Sequence, residues 1–381
     1  MSHIWCIETA NPEFCHTREN FTEFYCNAAG EAERTKRKIR AVAHKSGIDT
    51  RYSVIKDFSL PPQYFSFFPQ NPLLTPAPSL TQRMQIYKKE ALYLAEKSVR
   101  KIKSFETLKN EITHIVTVTC TGLFAPGLDI ELMQVLDLKP TTQRSSINFM
   151  GCNAAMLALK QAHQICRSED NSLVLIVCVE LCTLHFQGAF DDDYLISNQI
   201  FADGAAAVLV GSKPASEQAF EQIGESLKVS PSSKVSKSFK SVAIKSFKSL
   251  VIHEGRDEMA WQLSEEGFKM NLTSYVSPLI NKYMPILLEG MELNAEKTTH
   301  WAVHPGGKKI LDDFCKTINI NPLALKASYE TLRNFGNMSS PTILFVLKNL
   351  LENTDILRGE DIITAAFGPG LNIETAVLTY V

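Results

Sequence analysis

Apolar positions along the chain fall into two rhythms. Short runs of consecutive apolar residues predict strands at 115–118, 146–149, 173–181, 205–210, 300–303 and 362–367. Several are apolar on both faces, as in a sheet covered by helices on each side. Between them the spacing becomes helical: after Cys152, residues Ala155, Ala158, Leu159, Ala162 and Ile165 share one face. This alternation predicts an α/β layered architecture. The longest continuous apolar run, from Leu173 to Val179, ends at Glu180. It reads as a buried strand, far below the roughly 20 residues that span a bilayer.

The composition changes near 211–214, which suggests a join between two halves, 1–215 and 216–381, with an approximate boundary. Each half repeats apolar strand, glycine turn and helix, a hint of internal duplication that the letters alone leave open. One segment stands apart: KSFKSVAI (237–244) is followed at once by KSFKSLVI (245–252). Lysines at 228, 234, 237, 240, 245 and 248 accompany it without an acidic residue. A charge run of this kind reads first as a solvated surface hairpin or loop. A basic flap near an anionic ligand or a membrane surface is the alternative.

A length of 381 residues allows two or three domain-sized units or one large duplicated fold. Hydrophobic residues at 45% and charged residues at 21% permit a large core. A net charge of −2 argues against bulk nucleic-acid binding. The nine cysteines are odd in number and scattered, which fits a reducing, cytoplasmic setting better than a disulfide framework. The opening MSHIWCIETANPEF lacks a basic region, a long apolar stretch and a cleavage site, so a secretory signal is not expected.

Three segments carry candidate chemistry. In Ser146-Ile-Asn-Phe-Met-Gly-Cys152, a strand runs through Gly151 into Cys152 and then a helix. A glycine turn there sets the thiol at a helix N-terminus, where free N–H groups favour thiolate. The sulfur thus occupies a nucleophile-elbow position. A free cysteine is ordinarily a small buried hydrophobe, and that is the reading for the other eight. In Trp301-Ala-Val-His304-Pro-Gly-Gly, a strand ends at His304 before a turn and a helix starting near Lys309. Open α/β sheets place ligand sites at such carboxyl ends. Asn337 lies beside Gly336, ahead of an apolar helix 342–351 with Ser340 as its expected N-cap and Pro341 at its first position. Alone it reads as an Asx turn. Together, a thiol, an imidazole and a carboxamide make a covalent acyl site with two neutral hydrogen-bond donors. The loop Phe367-Gly-Pro-Gly-Leu371 is placed to shape a pocket wall. Cys178, Cys182 and His185 resemble a zinc spacing, but on a strand they split across two faces, so no metal site is expected.

The blocks MGCNA around Cys152, IFADGAAAVLVG (200–211), WAVHPGG (301–307), YETLRNFGNMSSP (329–341) and FGPGLNIET (367–375) resemble the type III polyketide synthases of the chalcone synthase and stilbene synthase superfamily. The likeness runs nearly end to end, and the wording of 259–272 and 304–314 is closer to the bacterial members. It implies a thiolase-like αβαβα fold with internal duplication, working as a cytoplasmic homodimer. It also implies a reaction: an acyl-CoA starter loads on Cys152, and malonyl-CoA then extends it by repeated decarboxylative condensation. His304 and Asn337 would stabilise the enolate, and no cofactor, metal, flavin or pyridoxal is required.

Further site residues follow from the resemblance. Lys38, Lys45, Gly306 and Lys309 would hold coenzyme A, with Ala41 replacing a usual arginine and Arg51, close by in sequence, expected to contribute. Phe220 matches the first gatekeeping phenylalanine, while the second falls on Met270. Cys120, Thr121, Cys182, His185 and Gly370 would line the pocket, Cys120, Cys182 and His185 standing where threonines are usual. Ala125 stands in for a methionine that reaches into the partner's cavity. These departures favour an aliphatic or fatty acyl starter and an alkylpyrone or alkylresorcinol product. The alternatives are a ketoacyl-synthase-like enzyme making one condensation, and a non-catalytic scaffold. Thiolase chemistry needs a second cysteine in a C-terminal glycine-rich loop, and the last cysteine is Cys315.

Overall fold

The computed structural model of the chain describes residues 1–103, 105–213, 241–273, 275–289 and 300–381. All six predicted strands form. Leu173–Leu181 and His300–Val303 keep the predicted bounds, while His114–Thr119, Asp203–Gly211 and Asp361–Gly368 extend beyond them. Gln143–Asn148 starts earlier than predicted and stops before Phe149, whose φ of 59° turns the chain out of the sheet.

Among the described residues nine strands share one sheet, in the order His300–Val303, Asp361–Gly368, Asn372–Tyr380, Val242–Val251, Ser2–Ala10, Asp203–Gly211, Leu173–Leu181, His114–Thr119, Gln143–Asn148. Its middle joint is narrow: Ser2, His3 and Ile4 pair with Ile244, Ala243 and Val242. Outward from that joint the two sides follow one plan. On each side the first strand is antiparallel to the last, the last is antiparallel to the one before it, and that one is parallel to an earlier strand. A repeated order and sense of strands is what a duplicated chain produces.

Strand alternation then divides the interior into layers. Leu173, Leu175, Val177 and Val179 pack with Phe21, Phe24, Tyr87 and Leu94 of two outer helices, Arg18–Ala28 and Leu80–Arg100. Val174, Ile176 and Cys178 point the other way, onto the helices Ala154–Ser168 and Thr342–Asn353. Beyond those helices lie Ile362, Ala376 and Leu378 of the second half's strands. The reverse faces of these strands, including Ile363, Phe367 and Ile373, cover Ile280, Met284, Leu311 and Phe314 of the helices Val276–Glu289 and Lys308–Thr317. The result is the αβαβα stack, with two helices enclosed between the two halves of the nine-stranded sheet. Thr342 to Leu347 are buried at every position, as a helix enclosed on all sides requires.

The described part of the tandem octapeptide is a sheet strand rather than a loop, with Lys245, Ser246, Lys248, Ser249 and Val251 exposed as expected of a solvated segment. Residues 242–251 are a strand near the middle of the sheet, while 237–240 and lysines 228 and 234 lie outside the described residues. Matching positions of the two copies face opposite layers. Val242 and Ile244 join the central cluster, whereas their counterparts Leu250 and Ile252 pack against the outer one. Lys245, the first residue of the second copy, is the cause. It is skipped in the pairing, since Leu378 opposes Ile244 and Val377 opposes Ser246. One unpaired residue shifts the two-residue alternation by one. The Lys245 ammonium lies 2.8 Å from Asp361.

Among the described residues no helix is long and apolar enough to cross a membrane. The enclosed middle layer leaves little room for relaxation. Ile176→Ala, at a fully buried position, is therefore expected to cost about 2–5 kcal/mol, read as a lower midpoint in urea unfolding.

Candidate active site

Three turns present the candidate side chains. The first follows Gln143–Asn148, passes through Gly151 with φ 81°, and delivers Cys152 just ahead of the helix Ala154–Ser168. A Cβ on Gly151 would collide with the Pro369 ring, so the turn needs glycine for space as well as for φ. The Gly151 N–H donates to Cys120 Sγ at 3.0 Å. The second turn follows His300–Val303. The His304 N–H donates to the Ala365 carbonyl at 2.8 Å, which extends the strand pairing by one residue. The His304 ring is buried and neither of its nitrogens has a hydrogen-bond partner among the described residues.

The third turn holds Asn337 by its main chain. Its N–H donates to the Ile200 carbonyl, and its carbonyl accepts from the Ala202 N–H, both at 2.9 Å. Its side-chain oxygen accepts the Ser339 N–H at 2.8 Å, which leaves the amino group facing the Gly306 carbonyl 3.4 Å away. Ser340 is not the N-cap, a place taken by Pro341. The Ser340 hydroxyl instead donates to Glu180 at 2.6 Å.

Cys152, His304 and Asn337 line one cavity of about 90 Å³. One side is built from Cys120, Thr121, Cys182 and His185. The other is the hairpin of Met259–Ser264 and Gly267–Leu272, which contributes Met259, Trp261, Phe268 and Met270. His185 stacks on Phe268 at 4.0 Å. Its Nδ1 accepts the Phe268 N–H at 3.2 Å, so its Nε2–H donates to the Thr121 carbonyl at 2.7 Å. Burial pushes the Cys152 thiol up to about 11, against hydrogen bonds with Ser339 and Asn337 that pull it down. Burial also draws His304 down to about 3. Near neutral pH both groups are therefore uncharged. The thiolate expected at a helix N-terminus is outweighed by the loss of water around the sulfur.

The family model of chalcone and stilbene synthases, N-terminal domain, matches residues 1–214, and that of the C-terminal domain matches residues 243–381. The chain belongs to the chalcone and stilbene synthase family. A probable polyketide synthase 1 of Dictyostelium discoideum is 26% identical over 372 residues, 95% of this chain but 11% of that protein. The chain therefore spans about a tenth of that relative's length. Three solved structures share the fold. The C-terminal type III polyketide synthase domain of Steely1 from Dictyostelium is 23% identical, with TM-score 0.83 and coverage of 100% and 99% of the two chains. A polyketide synthase of the brown alga Ectocarpus siliculosus is 24% identical, with TM-score 0.86 and coverage of 100% and 98%. The 1,3,6,8-tetrahydroxynaphthalene synthase of Streptomyces coelicolor A3(2), a bacterial type III polyketide synthase, is 23% identical, with TM-score 0.82 and coverage of 99% of each.

In this chalcone synthase-like chain the other expected site residues divide. Cys120, Thr121, Cys182, His185, Met270 and Gly306 line the cavity. Gly370 does not; it faces an adjoining groove with Phe149 and Trp261, while Pro369 takes the place at the cavity wall. Lys38 and Lys45 lie on the exposed helix Glu33–Lys45, with Lys38 3.2 Å from Asp192. Gly47 abuts Lys308, which brings the end of that helix to the start of the one bearing Lys309. Arg51 corrects the coenzyme A expectation. It is buried, and its guanidinium donates to main-chain carbonyls inside the protein. Ala125 is exposed and lines no part of its own cavity. Phe220 lies outside the described residues.

Sequence reasoning passed over Glu180, Ser339, Trp261 and Phe268. Glu180 had a signal, a carboxylate closing a fully apolar strand. It is completely buried and accepts from the Cys120 N–H at 2.8 Å, the Thr121 hydroxyl at 2.7 Å and the Ser340 hydroxyl. It thus ties the wall beside Cys152 to the turn that carries Asn337.

Gly151→Ala is expected to displace the turn that presents Cys152 and to cost about 1–3 kcal/mol, read as a lower midpoint in urea unfolding. A second expectation concerns pH. Burial raises Glu180 to about 7 against its hydrogen bonds, so between pH 4.5 and 7 the folded chain binds more protons at this site than the unfolded one. Stability from this group is greatest below that window and is lost as pH rises through it. Glu180→Gln should flatten that part of the profile; an unchanged difference in melting temperature between pH 5 and 7 relative to wild type counts against it.

Proposed function

We propose that the chain is a type III polyketide synthase that loads an acyl-CoA starter on Cys152 and extends it with malonyl-CoA. The observation that carries this is the meeting of Cys152, His304 and Asn337, drawn from two halves of the fold, in one buried cavity. In this scheme the Cys152 thiol attacks the starter thioester, and its proton passes to the departing coenzyme A sulfur in one concerted transfer relayed by His304, so the imidazole stays neutral before and after the step. Malonyl-CoA then loses CO2, and the electron pair of the broken bond becomes an enolate. His304 and the Asn337 amino group donate hydrogen bonds to the enolate oxygen. The enolate carbon attacks the Cys152 thioester, and the sulfur leaves as the chain moves to coenzyme A. Uncharged donors in an apolar cavity suit this task, since their interaction strengthens as charge develops on the ligand. Decarboxylation supplies the carbanion, so the scheme draws on no metal, flavin or pyridoxal.

The coenzyme A phosphates would sit against the exposed Lys38 and Lys45 of the helix Glu33–Lys45 and Lys309 at the start of the neighbouring helix. An apolar wall favours an aliphatic starter and an alkylpyrone or alkylresorcinol product, and Met270 is the flexible part of that wall. All nine cysteines are free thiols, which fits a cytoplasmic setting. A homodimer would cover the sheet edge at Gln143–Asn148 and the exposed Leu123, Ile130, Phe149 and Met150 nearby. Ala125 sits within that patch. A volume of about 90 Å³ is the one observation favouring a single condensation, as in a ketoacyl-synthase-like enzyme.

Purified protein given a panel of acyl-CoAs with labelled malonyl-CoA is expected to release CO2 and products of several extensions, identified by mass spectrometry. A single ketoacyl product would move the assignment to the ketoacyl synthase reading, and neither acylation nor CO2 would leave the scaffold. Cys152→Ala should abolish chain building entirely, and turnover retained by that variant would sink the covalent mechanism.

A further inference from the structure

Arg51 has been freed of a role in holding coenzyme A, yet a buried guanidinium needs strong partners. Its Nη1 donates to the Asn198 carbonyl at 3.2 Å and to the Phe201 carbonyl at 3.1 Å, and its Nη2 donates to the Gln199 carbonyl at 2.7 Å. These carbonyls belong to the end of the helix Asp192–Ile200, where unpaired oxygens and the helix dipole attract a cation. The guanidinium also lies 4.1 Å above the Phe21 ring. The segment it grips is the one that holds Asn337. Ile200 and Ala202 clasp the Asn337 main chain from both sides, and Phe201 forms an isolated parallel bridge with Asn337.

The second side of the clasp is equally close. Gly336 has φ 71°, and a Cβ there would meet Ala202 at 3.1 Å and the Ile200 carbonyl at 3.2 Å. The strand that carries Arg51, Thr50–Ser53, binds the approach to Asn337 as well, since the Thr50 hydroxyl donates to the Asn334 carbonyl at 2.8 Å. We propose that Arg51 is a positioning residue, which fixes the carboxamide of Asn337 by clamping the carbonyls of residues 198, 199 and 201. The inference rests on the reading that Asn337 assists decarboxylation of malonyl-CoA. Arg51 touches no substrate; it acts only through the 198–202 segment.

The test is a double-mutant cycle on malonyl-CoA decarboxylation, with melting temperatures recorded for every protein. Arg51→Lys keeps the charge but cannot reach three carbonyls, and is expected to lower kcat on the order of tenfold or more with KM for malonyl-CoA nearly unchanged. In an Asn337→Ala background the same substitution should change kcat by less than about twofold, because the group it positions is gone. Full activity of Arg51→Lys, or an equal loss in both backgrounds, would overturn the inference. If Arg51→Lys fails to fold, Arg51→Gln carries the cycle with the same criteria. If neither folds, Arg51 is a stability residue and the inference fails. Should wild type release no CO2 at all, the decarboxylation reading fails first, an outcome distinct from any result on Arg51.

Discussion

Two helices enclosed between the two halves of one sheet set the terms for everything else in this protein. Ala154–Ser168 and Thr342–Asn353 share one apolar cluster with strands of both halves. Neither can tilt or slide without opening voids in a layer packed on both sides. Their N-terminal ends are therefore fixed points. Cys152 stands just before one and Asn337 a few residues before the other, so the duplication that builds the core also brings these side chains together. His304 arrives by a different route, at the end of a parallel strand, where the sheet lets go of the chain.

The same enclosure decides the state of the site. A cavity walled largely by Trp261, Phe268, Met259 and Met270 offers a resident charge too few donors to replace the water it would lose. Burial consequently holds Cys152 as a thiol and His304 as neutral imidazole. The chemistry open to such a site is one in which charge appears on the ligand and is met by fixed neutral donors. Around it, buried polar groups act as ties between elements. Glu180 joins two turns, and Arg51 joins a helix end to the strand beside it, each with its hydrogen-bonding capacity directed at main chain or hydroxyls.

Much of this was legible in the sequence where the signal is local. A strand, a glycine and a cysteine before an apolar helix placed Cys152, because the turn can be made in few ways. The strand Leu173–Leu181 was readable to the residue, since burial on both faces leaves an unbroken apolar run. Arg51 and Ser340 were misread for one reason: their partners are distant in sequence, at 198–201 and at Glu180. A serine before Pro341 looks like a cap until a buried carboxylate competes for its hydroxyl. Gly370 and Trp261 show a similar limit, because a residue's place on one side or the other of a thin wall depends on how a hairpin folds over it. The hydrophobic pattern specifies layers; it does not specify what lies across a cavity.

The octapeptide strand carries a consequence for how this chain reaches its fold. Two copies of nearly one sentence are read in opposite senses, and nothing within either copy says which sense applies. The difference is imposed by the neighbour, Asn372–Tyr380, whose pairing passes over Lys245. That neighbour lies more than a hundred residues further along the chain. During synthesis the repeat must therefore wait, its facing undecided, until the far strand emerges and docks. Long-range pairing of that kind is slow to find, which makes the middle of this sheet a late event in folding rather than its seed.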